Sequence, residues 1–335
     1  MHRSIIRHVI AVCVLAALLA ALAACGGSKK PRISSVRKSR SFAIVRTKPG
    51  DTFESLANRY LGDPEKAWLI AQYNQTSIVE PGGFLVVPTE PVGKGGLTRN
   101  GYQVVPVLTY SAFSESTTDK ITITGDDFEA QMRFLKQNGY QPIELAKFYD
   151  FLEFKDAIPE KAVVITIDDI GQGTYDIAYP ILKQYEFPAT IFVCTDLVTG
   201  NENALDWDKL RTMQENGVAI EHRTKTLRNL TRRKTGETFE DYVLSVDREI
   251  TVANLKFMDE LGARRTFIAY PFGASNEMTV ALLKKNAFRG GLTLAQGSNP
   301  FFTDSFAVSR TAIPGDMTME QFEQVLVTRV EEDLQ

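Results

Sequence analysis

Apolar positions along this chain fall into two kinds of run: short unbroken segments, and longer segments with a helical period. The clearest short run is Val163-Val164-Ile165-Thr166-Ile167, which leads directly into Asp168-Asp169. An unbroken apolar run of this length predicts a strand buried on both faces, as in a parallel sheet or barrel. Similar strands are predicted over Val104–Leu108, Thr190–Cys194 and Thr266–Tyr270. Between them lie helical patterns. One spans Asp126–Gln137, with Phe128, Met132, Phe134 and Leu135 on or beside its apolar face, and another spans Tyr175–Tyr185. The longest repeats Phe239, Val243, Val246, Ile250, Ala253, Phe257 and Leu261 as its core face and stops at Gly262, a good C-cap. Helices near Met278–Lys285 and Met319–Arg329 close the chain. Strands alternating with helices predict an α/β fold with a parallel barrel-like sheet.

The two aspartates at the end of the Val163–Ile167 strand are where chemistry is expected, because sites in parallel α/β folds sit at the carboxyl ends of strands. Carboxylates there need a cation, a proton or donor groups. Capping of the next helix is the plainer alternative.

The N-terminal part reads differently. Arg3 and Arg7 precede an apolar run from Val9 to about Ala24, with small residues at its end. This pattern predicts a secretory leader over residues 1–24, the run being short for a spanning helix. Residues 25–42, rich in Gly, Ser, Lys and Arg, form a flexible basic tether, either solvated or touching anionic lipid. The stretch 43–89 predicts a small domain: a strand from Phe42, a helix capped by Pro49-Gly50-Asp51-Thr52, a second helix around Ala67–Asn74 and a strand Phe84–Val87. A Pro- and Gly-rich linker, 90–102, precedes the large domain, 103–335.

Composition narrows the picture. The 335 residues carry a net charge of −3 and 44% hydrophobic residues, enough for a sizeable core and no basis for nucleic-acid binding. Three cysteines, Cys13, Cys25 and Cys194, cannot form a disulfide framework, and Cys194 reads as a buried, inert thiol.

The large domain carries Thr166-Ile167-Asp168-Asp169-Ile170, Ala178-Tyr179-Pro180-Ile181-Leu182, Phe187-Pro188-Ala189-Thr190-Ile191-Phe192-Val193, Leu205-Asp206-Trp207 and Ala269-Tyr270-Pro271-Phe272-Gly273. These motifs resemble the polysaccharide deacetylase family (NodB homology, carbohydrate esterase family 4). The resemblance is collinear over roughly residues 103–331. It implies an incomplete (β/α) barrel that removes N-acetyl groups from glycans, using a metal, usually zinc, held by one aspartate and two histidines. By position Asp168 would be the general base and Asp169 the metal ligand, with Tyr270 and Pro271 lining the cleft. The stretch Gly50-Asp51-Thr52, Leu56-Ala57, Tyr60, Gly62-Asp63, Asn74 and Pro81-Gly82 resembles the LysM module, a βααβ binder of N-acetylglucosamine polymers. That resemblance maps glycan contacts onto Gly50, Asp51, Thr52 and Phe53 and onto Ile78 and Val79, although such a module could simply space domains. Leu22-Ala23-Ala24-Cys25 resembles a lipobox, implying acylation of Cys25 and a cell-envelope protein; by resemblance to sorted lipoproteins, Gly26 favours the outer membrane, facing the periplasm, in a cell that has one.

The chain departs from the deacetylase pattern where the metal should sit. Aligned without a gap from Gly217 to Asn229-Leu230, it places Arg223 and Leu227 at the two histidine ligand positions. The histidines are His2, His8 and His222, and the first two leave with the leader, so one imidazole cannot supply two ligands and a general acid. Ser111 replaces the histidine usual after Tyr110, and Ile170 replaces the motif glycine. No cofactor is therefore expected, and zinc or another divalent ion enters only if Glu221 and His222 build a substitute site. Strand alternation, however, points His222 away from Arg223. Arg223 is expected to neutralise Asp168 or Asp169, and its planar fork could make a bidentate pair. The basic run Arg223, Lys225, Arg228, Arg232, Arg233, Lys234, which contains no acid, reads as a solvated loop or, if it lines the cleft, as favouring an acidic polysaccharide. The expectation is a non-catalytic or strongly impaired homologue that binds peptidoglycan or exopolysaccharide. The alternative is an active N-deacetylase with an altered site.

Overall fold

A computed structural model of the chain describes residues 37–38, 42–89, 95–98, 101–201 and 203–332. The leader, Cys25, most of the tether and much of the second linker lie outside the described residues. The chain divides into two compact units, 1–90 and 91–335.

In the first unit, strand β1 (Phe42–Arg46) pairs antiparallel with β2 (Phe84–Pro88), and Arg37–Lys38 pairs with the outer edge of β1. Helices α1 (Phe53–Leu61) and α2 (Ala67–Asn74) cover one face. Thr52 and Ser55 cap α1 reciprocally, which satisfies two of the backbone N–H groups that a helix start leaves unpaired. Ala43, Val45, Leu56, Ala57, Ile70, Leu85 and Val87 form the small core. Asn74 ties α2 to the sheet: its amide donates to the carbonyls of Ile70 and Val86, each at 2.7 Å, and its oxygen accepts from the Val86 N–H at 2.8 Å.

The second unit is an α/β fold around a curled, mostly parallel sheet. Its strands are β3 (Gly101–Tyr110), β4 (Ala162–Ile167), β5 (Thr190–Val193), β6 (Ala219–His222), β7 (Phe267–Ala269) and β8 (Gly290–Leu292), which lie side by side in that order. At the far side of β3, β9 (Ser298–Pro300) adds antiparallel and β10 (Thr311–Ala312) parallel. All six residues of β4 are buried, as its sequence requires. Each large apolar side chain so placed contributes about 1.5–3 kcal/mol.

Helices α3 (Gly125–Gln137), α4 (Leu145–Leu152), α5 (Tyr179–Tyr185), α6 (Trp207–Glu215), α7 (Phe239–Leu261), α8 (Glu277–Lys285) and α9 (Met319–Gln324) pack outside the sheet. Two boundaries differ from the sequence reading. Thr174–Ala178 forms a π-helical turn before α5, because Pro180 at the second position of α5 lacks an N–H. The last helix ends at Gln324, and Arg329–Glu331 pairs instead with the start of β3. Phe239, expected in the core face of α7, is 63% exposed: it is the first residue after the Thr238 cap, before the helix meets the sheet.

Candidate functional site

Strand β4 delivers Asp168 and Asp169 to the carboxyl end of the sheet, and the Asp168 N–H is fixed by the Tyr110 carbonyl of β3 at 2.8 Å. The two carboxylates have separate fates. Asp169 turns back on its own chain: one oxygen accepts the Gly171 N–H and the other the Thr174 hydroxyl, both at 2.7 Å. It therefore caps the turn that opens the next helix. Burial raises its carboxyl above the usual range, against the Gly171 hydrogen bond.

Asp168 is held by arginines. Arg310 grips its carboxylate bidentately, Nη1 to Oδ1 at 2.6 Å and Nη2 to Oδ2 at 2.9 Å. This arginine is fully buried and also donates to the Thr293 carbonyl at 2.9 Å and the Thr109 hydroxyl at 3.3 Å. Arg223 adds a second cation, with Nη2 3.3 Å from Oδ2 and Nη1 donating to the Asp168 backbone carbonyl. The expected ion pair between Arg223 and an aspartate is present, but the bidentate partner is Arg310. Burial alone would raise the Asp168 carboxyl; the charges of Arg310 and Arg223 outweigh it and hold it below the usual range.

The turn after β6 positions Arg223. Thr224 has φ +70° although it is β-branched and buried, and Leu227 has φ +58°. Such left-handed backbone is costly for both residues, on the order of 1–3 kcal/mol each, and persists only where surroundings impose it. Here the Thr224 N–H donates to His222 Nδ1 at 2.9 Å, its carbonyl accepts from Thr195, and its hydroxyl accepts the Leu227 N–H at 3.1 Å.

His222 faces the helices, as strand alternation predicts. Because Nδ1 accepts from Thr224, Nε2 carries the proton and donates to the Ile250 carbonyl at 3.1 Å. Burial lowers its pKa to about 4. Glu221, on the opposite side of β6, accepts from the Thr266 and Phe267 N–H groups at 3.1 and 3.0 Å, and burial raises it to about 7.

These residues do not fit a divalent metal. Both Asp168 oxygens are bound by guanidinium, both Asp169 oxygens cap the turn, His222 has no free lone pair, and a cation already stands at Arg223. Among the described residues no group of three or more His, Cys, Asp or Glu side chains converges in a way that could hold an ion.

One further expectation is corrected. Tyr270 and Pro271 do not line an open cleft: both are buried, and the Tyr270 hydroxyl donates to the Phe306 carbonyl at 3.0 Å. The neighbour that projects outward is Phe272, 64% exposed at φ +60°. The basic run has its last three cations, Arg232, Arg233 and Lys234, exposed, in keeping with a solvated loop, and two of its earlier ones are paired. Lys225 bonds Asp196, and Arg228 bonds Glu237 at 2.9 Å, with acids supplied from outside the run. In the first unit, Asp51 is committed to the Lys48 N–H and Arg59, Thr52 to its cap, and Phe53 and Val79 to the core. Gly50 and Ile78 remain at the surface, Ile78 with 66% exposure.

Arg310 was not singled out from sequence. A lone charge between Phe306-Ala307-Val308 and Thr311-Ala312-Ile313 was the available signal, since an arginine in an apolar strand needs a buried carboxylate.

A curled parallel α/β sheet of this kind is the architecture of NodB-type deacetylases. It matches the Streptococcus pyogenes deacetylase PplD with TM-score 0.60 at 23% identity, covering 67% of this chain and 98% of that one. It also matches IcaB from Ammonifex degensii with TM-score 0.58 at 22% identity, covering 68% and 96%. The polysaccharide deacetylase family model matches residues 155–291. Among relatives, YxkH of Bacillus subtilis (strain 168) is 28% identical over 65% of this chain and 74% of its own length. A poly-beta-1,6-N-acetyl-D-glucosamine N-deacetylase of Staphylococcus epidermidis is 26% identical over 58% and 69%. Family model and relatives thus agree on a likeness to polysaccharide deacetylases, and the solved structures on a shared fold.

Proposed function

We propose that this protein is a cell-envelope glycan-binding member of the family, with deacetylation strongly impaired. The observation that carries the reading is the arginine cage on Asp168. A general base works best with a pKa near the operating pH and a lone pair aimed at its proton. Asp168 has both oxygens engaged and a lowered pKa, and the only imidazole beyond residue 8 is spent on backbone groups. The partner chemistry is an N-acetylglucosamine polymer, peptidoglycan or exopolysaccharide. Support comes from the first unit's likeness in sequence to the LysM module and from relatives named for poly-beta-1,6-N-acetyl-D-glucosamine. An acylated Cys25 would anchor the protein to a membrane, in the reading given above an outer membrane facing the periplasm.

A second reading, an active N-deacetylase with an altered site and Asp168 as base, is favoured by the names of the relatives. One assay separates the two. Purified protein is incubated with poly-β-1,6-N-acetylglucosamine, and acetate release, zinc content and polymer retention are measured together. The expected result is retention without acetate above background. Stoichiometric zinc, with acetate release abolished by Asp168→Asn, would establish the second reading instead.

A further inference from the structure

Helix α7 has two apolar faces where a surface helix needs one. Tyr242, Val246, Ile250, Ala253, Phe257 and Leu261 face the core. On the opposite side Leu244, Val252, Leu255 and Met258 are 40–64% exposed. A helix with apolar residues on opposite sides is expected where both sides are covered. The second stripe is rimmed by charge pairs, Lys256 with Glu260 on one flank and Lys285 with Asp247 on the other. An apolar centre inside a polar rim is the anatomy of an interface.

Two charges sit on the stripe itself. Arg248 and Asp259 are exposed and, among the described residues, have no hydrogen-bond or ion-pair partner. Their positions are reciprocal. Arg248 and Asp259 are equidistant from the midpoint between Ala253 and Asn254, and so are Val252 and Leu255. At 100° per residue these four side chains fall within about 60° of one another around the helix axis. If two copies of α7 lie antiparallel about a two-fold axis through that midpoint, Val252 meets the other copy's Leu255, and Arg248 meets the other copy's Asp259, twice over.

We infer that the exposed face of α7 is a self-complementary docking surface for a second copy of this chain. The charge pattern selects that occupant, because a two-fold interface must be complementary to itself. One helix pair buries less than the roughly 1,200–2,000 Å² of a stable complex, so the dimer forms only at high local concentration.

The test is charge reversal with mutual rescue, read by sedimentation equilibrium of the full chain. Arg248→Asp and Asp259→Arg each place like charges opposite one another, and each should weaken association at least tenfold. An equimolar mixture of the two variants restores opposite charges at both contacts and should recover wild-type association; the double variant should do so alone. Contacts through any other segment are indifferent to these swaps. Both residues are exposed, so an unchanged melting temperature confirms that each variant folds. A wild-type chain monomeric at all concentrations would overturn the inference, as would association unaffected by the single reversals or reversals without mutual rescue. A stripe covered by other residues of the chain, or by lipid, gives the first of these results.

Discussion

His222 and Glu221 are neighbours in sequence, yet strand β6 sends them to opposite sides, and burial shifts them in opposite directions on the pH axis. Burial lowers His222 from 6.5 to about 4. The unfolded chain therefore binds more protons than the folded one in that interval, and stability falls as pH drops below 6.5. Burial raises Glu221 from 4.5 to about 7. There the folded chain holds the extra proton, and stability falls as pH climbs from 4.5 through 7. Each shift corresponds to at most about 3 kcal/mol, so the two slopes nearly cancel between pH 4.5 and 6.5. Urea denaturation across that window should give an almost flat midpoint for the wild type. Glu221→Gln should expose a midpoint that rises with pH, and a flat profile in this variant would refute the pairing of effects.

Among the elements, α7 is set by its ends as much as by its apolar stripe. Thr238 accepts the Asp241 N–H at 3.1 Å at the start, and Gly262 stops the helix with φ +73°. Thr238→Ala should cost about 1 kcal/mol by leaving that donor unpaired. A Cβ at Gly262 would meet nothing within 4 Å, so Gly262→Ala should cost only the left-handed strain, again about 1 kcal/mol. Chemical denaturation of the two single variants and the double variant checks this. The sites are far apart, so the effects should add. The end of α7 at Gly262 was legible because capping chemistry is local. Its exposure pattern was not: Phe239 keeps the helical period of the core face, but a residue at the first turn has not yet reached the sheet.

At the scale of the molecule, legibility follows sequence distance. Strand β4, the carboxylates at its end and the α/β alternation were readable because a buried strand writes its burial into consecutive residues. The pairing of Arg223 with one of these aspartates was readable against a motif. Arg310 was not, because its partner Asp168 lies 142 positions away and nothing local says which carboxylate a buried guanidinium will meet. Yet Arg310 joins β3, β4 and the segment after β8 through Thr109, Asp168 and Thr293. Arg310→Met should therefore cost about 3–5 kcal/mol, because Asp168 would remain buried with only the weaker contact to Arg223. Combining it with Asp168→Leu removes the stranded charge and should recover much of that loss, since the uncompensated carboxylate, not the missing attraction, dominates the single variant. A double variant no more stable than Arg310→Met alone would place the cost in packing around the arginine's other partners. In that case the cage would be a strut between strands rather than a counter-charge for the buried Asp168 carboxylate.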